Sequence, residues 1–276
     1  MTRLRLWCLA PSASLLAVLF LVPLAIIFSY SVLTRGPYGG VMQPLTLENY
    51  ARLADPLYIA ILWRSLLYST IATAACLLLG FPLALFISRA GKRRNLYLAL
   101  VIVPFWTSFL VRTYAWMFLL RDTGLINSAL LATGIIHEPL PLLYNPFAVI
   151  AGLVYGYLPF MVLPIYATLE RLDPSLVEAA ADLGARPMAT LLHIILPLAK
   201  PGIRAGGILV FISCLGAYLT PDLLGGGKTI MIGNLVQNQF TSARDWPFGA
   251  ALSWLVMLMV MLMLLPLMRR KEGGLL

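Results

Sequence analysis

The stretch GGGKT at residues 225–229 holds residue types that could cradle a phosphate group. A phosphate-binding loop has the pattern Gly, four residues, Gly-Lys-Ser/Thr, and it lies between a strand and a helix, so that its backbone N–H groups and its lysine contact the phosphates. Here the position of the first glycine is taken by Asp222, whose carboxylate would repel phosphate, and an apolar run precedes it. We therefore predict a flexible loop and not a nucleotide site.

Other patterns that could do covalent or metal chemistry are missing from the sequence. It contains no Gly-x-Ser-x-Gly nucleophile motif and no His-Glu-x-x-His zinc motif. His137 and His193 are isolated, and the cysteines (Cys8, Cys76 and Cys214) fall in apolar runs without Cys-x-x-Cys spacing. We expect no catalytic residue, no metal site and no cofactor.

The composition indicates a membrane protein. Of the 276 residues 61% are hydrophobic and 11% are charged, whereas soluble domains have about 45–50% and about 25%. A bilayer core needs about 20 apolar residues per helical span, and six runs reach that length: 9–32, 62–87, 96–120, 147–169, 203–224 and 248–268. We therefore predict an all-α polytopic protein with six transmembrane helices, in which residues 1–276 form a single membrane domain.

The basic residues indicate how the spans are oriented. Thirteen of the 20 lysine and arginine residues lie at the N-terminus, at 89–94, at 171–204 and at 269–271, which all fall on one side of the six predicted spans. Because cytoplasmic loops carry the excess of lysine and arginine, both termini and the loop at 170–200 are predicted to be cytoplasmic. The GGGKT stretch then lies outside, away from ATP, and the net charge of +9 indicates topology and not binding to nucleic acid.

The longest cytoplasmic loop, residues 170–200, has the signals of two short helices. Asp173 followed by Pro174 predicts a capped helix start, and Gly184 predicts its end. Three further prolines predict the start of a second helix and two breaks before the fifth span: Pro187, Pro197 and Pro201.

Within this loop the sequence EAAADLGARPMATLLHIILP, residues 178–197, resembles the conserved loop of the membrane subunits of bacterial ABC importers. That family pattern is Glu-Ala-Ala, three residues, Gly, nine residues and Ile-x-Leu-Pro. The matching residues are Glu178, Ala179, Ala180, Gly184, Ile194, Leu196 and Pro197. The resemblance implies a type I ABC importer permease fold in which this loop is the coupling helix, docked on a separate ATPase subunit.

Two further stretches, residues 103–127 and 223–251, resemble the spermidine/putrescine importer permeases. That resemblance implies a non-enzymatic subunit of the bacterial inner membrane, surrounded by membrane lipid. The implied partners are a dimer of ATP-binding subunits, a second homologous permease subunit and a periplasmic substrate-binding protein. Related permeases carry opines, aminobutyrate-type compounds or other small solutes, so the cargo stays open between these and a polyamine.

A different class of function is a secondary carrier driven by an ion gradient, or a membrane scaffold. A carrier of that kind predicts inverted repeats and broken helices with coordinating groups near the midplane. The two halves of this sequence show no clear repeat, and neither alternative explains the loop at 178–197.

A polyamine is a flexible polycation, so its path should offer aromatic faces and occasional carboxylates. The candidate pathway residues are Trp106, Tyr114, Trp116, Tyr155, Tyr157, Tyr218 and Asp222. The alternative for each aromatic residue is packing within the bundle or at the membrane interface, and Asp222 could instead cap the outside loop. Arg112, inside the third predicted span, could pair with an acid or extend to the interface, and the sequence leaves both open.

Overall fold

In a computed structural model of the protein, the backbone is described for residues 2–269 and the side chains for residues 10–265. The predictions for Arg3, Arg5, Cys8 and residues 269–271 lie outside the described side chains. In chain order the helices are α1 (Thr2–Ser31), α2 (Glu48–Arg52), α3 (Pro56–Ser88), α4 (Arg94–Ile102), α5 (Phe109–Leu120), α6 (Leu125–Ala132), α7 (Pro146–Leu169), α8 (Pro174–Asp182), α9 (Pro187–Thr190), α10 (Leu196–Leu215), α11 (Leu219–Gly225), α12 (Ile232–Phe240) and α13 (Trp246–Arg269). Strands β1 (Leu33–Arg35) and β2 (Val41–Leu45) form an antiparallel hairpin.

Five of the described helices are long and apolar enough to cross a membrane, and a sixth span results when the bent pair Gly91–Trp106 and Phe109–Ala132 is counted as one. The prediction of six spans is confirmed in that sense, but the prediction of one continuous helix over 96–120 is wrong. The two arms meet at 90°, because Thr107 and Ser108 have extended ψ angles of 152° and 131°. A helix cannot continue through two extended residues.

The fifth predicted span, 203–224, is wrong at both ends. The helix begins upstream, since Pro187–Leu215 forms one apolar helix of 29 residues, and it ends early, since α10 stops at Leu215 and a separate helix, α11, begins at Leu219. The predicted breaks at Pro197 and Pro201 do not occur. Residues Leu191–Ile195 form a π-helical turn whose widened hydrogen bonding, Leu196 N–H to Leu191 C=O, comes just before Pro197. A turn of this kind accommodates the proline ring and its missing donor without ending the helix.

The described residues group into two compact units, residues 61–234 and residues 1–60 with 235–276. In the unit of residues 61–234, α7 and α10 pack together at unusually close range. A Cβ atom at Gly202 would lie 2.5 Å from Thr168 Oγ1, and one at Gly206 would lie 3.1 Å from the Met161 carbonyl oxygen. Small residues spaced by four positions let two membrane helices approach in this way, so this glycine pair fixes the position of α7.

The unit formed by residues 1–60 and 235–276 combines α1, the hairpin, α2 and α13. Phe28 of α1 packs edge to face on Trp254 of α13, with ring centroids 5.3 Å apart. In the same unit, Arg52 forms an ion pair of 2.9 Å with Asp245, which is buried. The Arg52 guanidinium also lies 4.1 Å from the centroid of the Phe248 ring. This cluster anchors the start of α13; neither it nor the hairpin was predicted from the sequence.

Candidate functional site

The coupling segment, defined here as residues 173–197, begins with a fully formed helix cap. The Asp173 carboxylate accepts a hydrogen bond of 3.0 Å from the Ser175 backbone N–H, and Pro174 occupies the first helical position of α8. The same hydrogen bond holds the pKa of the Asp173 carboxyl below its usual value. The helix start predicted from Asp173 and Pro174 is therefore confirmed.

The C-terminal end of α8 closes in a Schellman motif. The Gly184 N–H bonds to the Ala181 carbonyl at 2.9 Å, and the Ala185 N–H bonds to the Ala180 carbonyl at 2.9 Å. Gly184 has φ +77°, a left-handed conformation that costs residues with a Cβ about 1–2 kcal/mol. The predicted helix end at Gly184 is confirmed, and it reverses the chain toward α9.

The second half of the coupling segment joins α8 to the bundle. α9 begins at Pro187, as predicted, and the π-helical turn leads into α10. Of the family-pattern residues there, Ile194, Leu196 and Pro197 are half-buried. The intervening Ile195 is 3% exposed and belongs to the hydrophobic core. Ile195 therefore anchors the segment, although it occupies the unspecified position of the Ile-x-Leu-Pro pattern.

The outer face of the coupling segment carries apolar side chains that the described part of the chain leaves exposed. Glu178 and Ala179 are exposed, whereas Ala180 is buried at 7% exposure. Large apolar side chains are exposed beside them: Leu176, Leu183, Met188 and Leu192. Exposed apolar groups that cluster on one short segment are typical of a protein interaction site.

Two cavities lie against α8 on the side of the bundle, with volumes of about 330 and 390 Å³. Both are lined by Arg89, Val177 and Ile195, so open space separates part of α8 from the end of α3. Nearby, Arg94 forms an ion pair of 2.8 Å with Glu170 and joins the start of α4 to the end of α7. α8 is therefore internally rigid while the space beneath it leaves room for small displacements.

A second candidate region is an aromatic cluster at the bend between the two arms of the third span. Phe105 packs edge to face on Phe160 with centroids 5.2 Å apart, and Phe109 stacks on Tyr157 at 6.2 Å. A cavity of about 250 Å³ adjoins them. Its lining is Phe105, Phe109, Gly156, Tyr157, Gly216, Ala217, Tyr218 and Leu219. Of the candidate pathway residues, Tyr157 and Tyr218 meet at this cavity.

Two more candidate residues, Trp116 and Tyr155, contact each other with centroids 5.6 Å apart. They line a much smaller cavity next to the first one, and Phe109 and Gly156 line both. The remaining candidates line neither cavity: Trp106, which is 81% exposed, Tyr114 and Asp222. The structure thus brings together four of the seven predicted pathway residues.

Arg112 lies beside the small cavity and pairs with no acid among the described side chains. Its guanidinium carbon is 4.8 Å from the Phe105 ring centroid and 5.6 Å from that of Phe109. Cation–π contacts of this kind contribute about 0.5–2 kcal/mol each. Sequence reasoning missed both phenylalanines, although the spacing of Phe109 and Arg112, three positions apart on one helix face, was a usable signal.

The GGGKT stretch folds as a packed turn instead of a flexible loop. Gly225 ends α11 and is buried, and a Cβ there would lie 2.9 Å from Val149 Cγ2. Gly226 has φ +54°, and a Cβ there would lie 2.9 Å from the Tyr144 ring. Residues Gly226–Lys228 form a single 3₁₀ turn. Gly225 and Gly226 are therefore closely packed, whereas an added Cβ at Gly227 would meet no neighbour.

Comparison with known proteins gives the family. Residues 76–270 match the family described as binding-protein-dependent transport system inner membrane component. The chain is 47% identical over 250 residues to the spermidine/putrescine transport system permease protein PotB of Escherichia coli strain K12, and the match covers 90% of this chain and 91% of that protein.

Solved structures share the fold. A chain of a bacterial ABC transporter involved in the import of the acidic polysaccharide alginate superposes with a TM-score of 0.74 at 17% identity, covering 98% of this chain and 97% of that chain. A second structure, the bacterial alginate ABC transporter in complex with an alginate pentasaccharide-bound periplasmic protein, gives a TM-score of 0.69 at 18% identity, covering 98% and 96%. The chain therefore belongs to the family of binding-protein-dependent transport system inner membrane components, as a non-enzymatic permease subunit of an ABC importer with the type I fold.

Proposed function

We propose that this chain, as one membrane domain, forms half of the translocation pathway of an ATP-driven polyamine importer. In this proposal a periplasmic binding protein delivers spermidine or putrescine. The other half of the pathway comes from a second, homologous permease subunit, and a dimer of ATP-binding subunits drives the conformational change. The observation that carries the proposal is the 47% identity, over 90% of the chain, to a permease named for spermidine and putrescine transport.

The aromatic cluster supports a cationic cargo. Ammonium groups bind to the faces of tyrosine and phenylalanine rings within about 6 Å of the ring centroid, and Phe105, Phe109, Tyr157 and Tyr218 line one cavity. Its volume of about 250 Å³ accommodates an alkylammonium group. It suits one end of an extended chain, with the remainder of the path supplied by the second permease.

The coupling segment supports an ATPase partner. An effector shifts a conformational equilibrium only as far as its affinities for the two states differ, so the ATPase needs a handle that keeps its shape when it is pulled. The Asp173 cap and the Gly184 turn give α8 that rigidity, and its exposed apolar side chains provide a contact surface. We propose that Glu178, Ala179, Ala180 and Gly184 form this contact, with Ile194, Leu196 and Pro197 transmitting the movement to α10.

A second candidate cargo is a zwitterionic amino compound of the opine or aminobutyrate type. Arg112 favours it, because an arginine with no acidic partner in the described side chains could bind a substrate carboxylate. The aromatic rings that line the cavity would then bind the amino group of this compound.

The test is transport by the complete importer in proteoliposomes, reconstituted with the ATPase, the second permease and the binding protein encoded beside it. We expect ATP-dependent uptake of labelled spermidine, and competition by putrescine but not by γ-aminobutyrate. ATP-dependent uptake of the zwitterion with no uptake of spermidine would replace the polyamine by the second candidate. Uptake of spermidine that continues without ATP would contradict both.

A further inference from the structure

Arg112 bridges the two arms of the bent third span. Phe105 belongs to the arm Gly91–Trp106, and Phe109 is the first residue of α5 in the other arm, across a 90° bend. The Arg112 guanidinium lies 4.8 Å from the first ring centroid and 5.6 Å from the second. One cation therefore contacts a ring on each side of the break.

No other group of the described side chains offsets this charge. The ion pairs found there join Arg52 to Asp245 and Arg94 to Glu170, so Arg112 has none. Its Nε atom is buried and makes no hydrogen bond. An unpaired ionisable group inside a membrane span is costly, and such groups mark functional sites. The two rings are then the principal groups that stabilise the guanidinium in this position.

The same two rings face the larger aromatic cavity. Phe105 and Phe109 both line the cavity of about 250 Å³, together with Tyr157 and Tyr218, while Arg112 lines the small cavity that shares Phe109. Phe160 packs against Phe105, and Gly156 lies close to Phe109, where a Cβ would be 3.1 Å from Phe109 Cε2. A cation in the large cavity would therefore contact the same two rings as the Arg112 guanidinium.

We propose that the Arg112 guanidinium holds the two arms of the third span together at the break, through its contact with Phe105 and Phe109, which we call the clasp. An ammonium group of the substrate releases the clasp by displacing the guanidinium from these two rings. This deepens the proposed function and rests on it for the identity of the substrate. Two cations on one ring pair repel each other, so substrate entry moves the guanidinium away. The two arms, no longer joined, then change their angle. Arg112 is in this sense a positioning residue that couples cargo binding to the shape of the span.

The first experiment needs no substrate. Spin labels at Leu96→Cys and Phe118→Cys, exposed positions on the two arms, report the distance between them in the complete importer, with Cys8 replaced by Ser. We expect a narrow distance distribution in the protein with Arg112, a broad one in Arg112→Gln and in Phe105→Leu, and restoration of the narrow one by Arg112→Lys. Phe105→Leu keeps the charge, so it separates the clasp from a general effect of losing the arginine.

The matched control is Arg121→Gln. Arg121 lies 4.6 Å from the centroid of the Phe118 ring, a similar cation–π contact, but both residues belong to the same arm. With the second label moved to Leu110→Cys for this variant and for its reference, we expect the distribution to be unchanged. Equal broadening by Arg121→Gln and Arg112→Gln would overturn the clasp.

The second experiment measures the competition between spermidine and Arg112 directly. Equilibrium binding of labelled spermidine to the importer without binding protein should be roughly three- to tenfold tighter in Arg112→Gln than in the unchanged protein, the range expected when one cation–π competitor is removed. Spermidine should also broaden the distance distribution of the unchanged protein to that of Arg112→Gln. Unchanged or weaker spermidine binding in Arg112→Gln would overturn the proposal. Failure of the unchanged importer to take up spermidine, with the substrate-free distances as expected, would instead overturn the polyamine cargo and with it the release step.

Discussion

The coupling segment and the aromatic cluster are built on different principles. The coupling segment closes on itself within a few residues, from the Asp173 cap to the Gly184 turn. The aromatic cluster draws Phe105, Tyr157 and Tyr218 from three distant parts of the chain. A local motif fails as a whole when one required conformation is lost. A packed cluster instead loses about 0.5–1.5 kcal/mol with each aromatic contact. We therefore expect an abrupt defect where a required backbone conformation of the coupling segment is lost, and graded defects in the aromatic cluster.

The largest effect is expected from Gly184→Val. Valine at φ +77° is strained by about 1–3 kcal/mol, and relief of that strain breaks the Schellman motif and turns α8 away from its position. We expect uptake by the reconstituted importer to fall by at least about tenfold, the factor that 1.4 kcal/mol represents, while the protein still inserts into the membrane.

Gly134→Val is the matched control for this change. Gly134 ends α6 with φ +69° and the same pair of hydrogen bonds, from Gly134 to Leu131 and from Ile135 to Leu130. A Cβ would meet no neighbour at either glycine, so the two variants carry the same backbone strain. We expect Gly134→Val to show a similar loss of thermal stability with most uptake retained. Equal loss of uptake in both variants would mean that strain alone, and not the coupling segment, is responsible.

Glu178→Lys should follow in size. Glu178 is exposed and lines the edge of the 330 Å³ cavity, so its reversal leaves the fold intact and repels a basic group on the ATPase. We expect reduced co-purification of the ATPase and several-fold lower uptake, with an unchanged melting temperature. Asp122→Lys, an exposed reversal on the opposite predicted side, should leave ATPase binding unaffected. Normal ATPase binding by Glu178→Lys would count against its proposed contact.

A graded effect is expected from Gly156→Ala in the aromatic cluster. The added Cβ would lie 3.1 Å from Phe109 Cε2, so the ring must shift by a few tenths of an ångström and its contact with Arg112 changes. We expect uptake to fall about two- to fivefold, consistent with partial loss of one aromatic contact. Gly207→Ala, in α10 with no neighbour near the added atom, is the control and should transport normally. A tenfold defect in Gly156→Ala would make this region as abrupt as the coupling segment.

The smallest effect concerns the cap of α8. Asp173→Asn keeps an acceptor for the Ser175 N–H and should transport normally, whereas Asp173→Ala loses it and should reduce uptake slightly. Because the pKa of Asp173 is lowered in the folded protein, its contribution to stability is present above the usual carboxyl pKa and is lost as the pH falls through the lowered value. Thermal melts of Asp173→Asn should lack that acid-dependent part. If the unchanged protein and Asp173→Asn had identical thermal melts down to strongly acidic pH, the stabilising role assigned to the Asp173 carboxylate would be contradicted.

The same difference explains what could be predicted from the sequence. The start, the end and the turn of α8 follow from Asp173, Pro174 and Gly184, because caps and left-handed glycines act on their own neighbours. The family pattern at 178–197 was identified by its resemblance to the loop of known importer subunits, which is a contiguous stretch of sequence. The buried anchor Ile195 could not be predicted, since its burial depends on distant helices.

The aromatic cluster depends on two features that hydropathy does not encode. Apolar runs predicted continuous helices over 96–120 and 203–224, but the helix is interrupted at Thr107 and again after Leu215. These breaks bring Phe105 and Tyr218 to one cavity. Candidate residues chosen by type alone therefore included Trp106, which points away from that cavity at 81% exposure, and omitted Phe109.

Transport and ATP hydrolysis, measured in one assay, show whether the coupling segment drives the aromatic pathway with energy from ATP. Uptake of labelled spermidine and hydrolysis of ATP are measured together in proteoliposomes holding the complete importer, either unchanged or with Gly184→Val. We expect uptake that requires both ATP and binding protein in the unchanged importer, and a much lower ratio of spermidine imported to ATP hydrolysed in Gly184→Val. An unchanged ratio in Gly184→Val, or uptake without ATP, would contradict it.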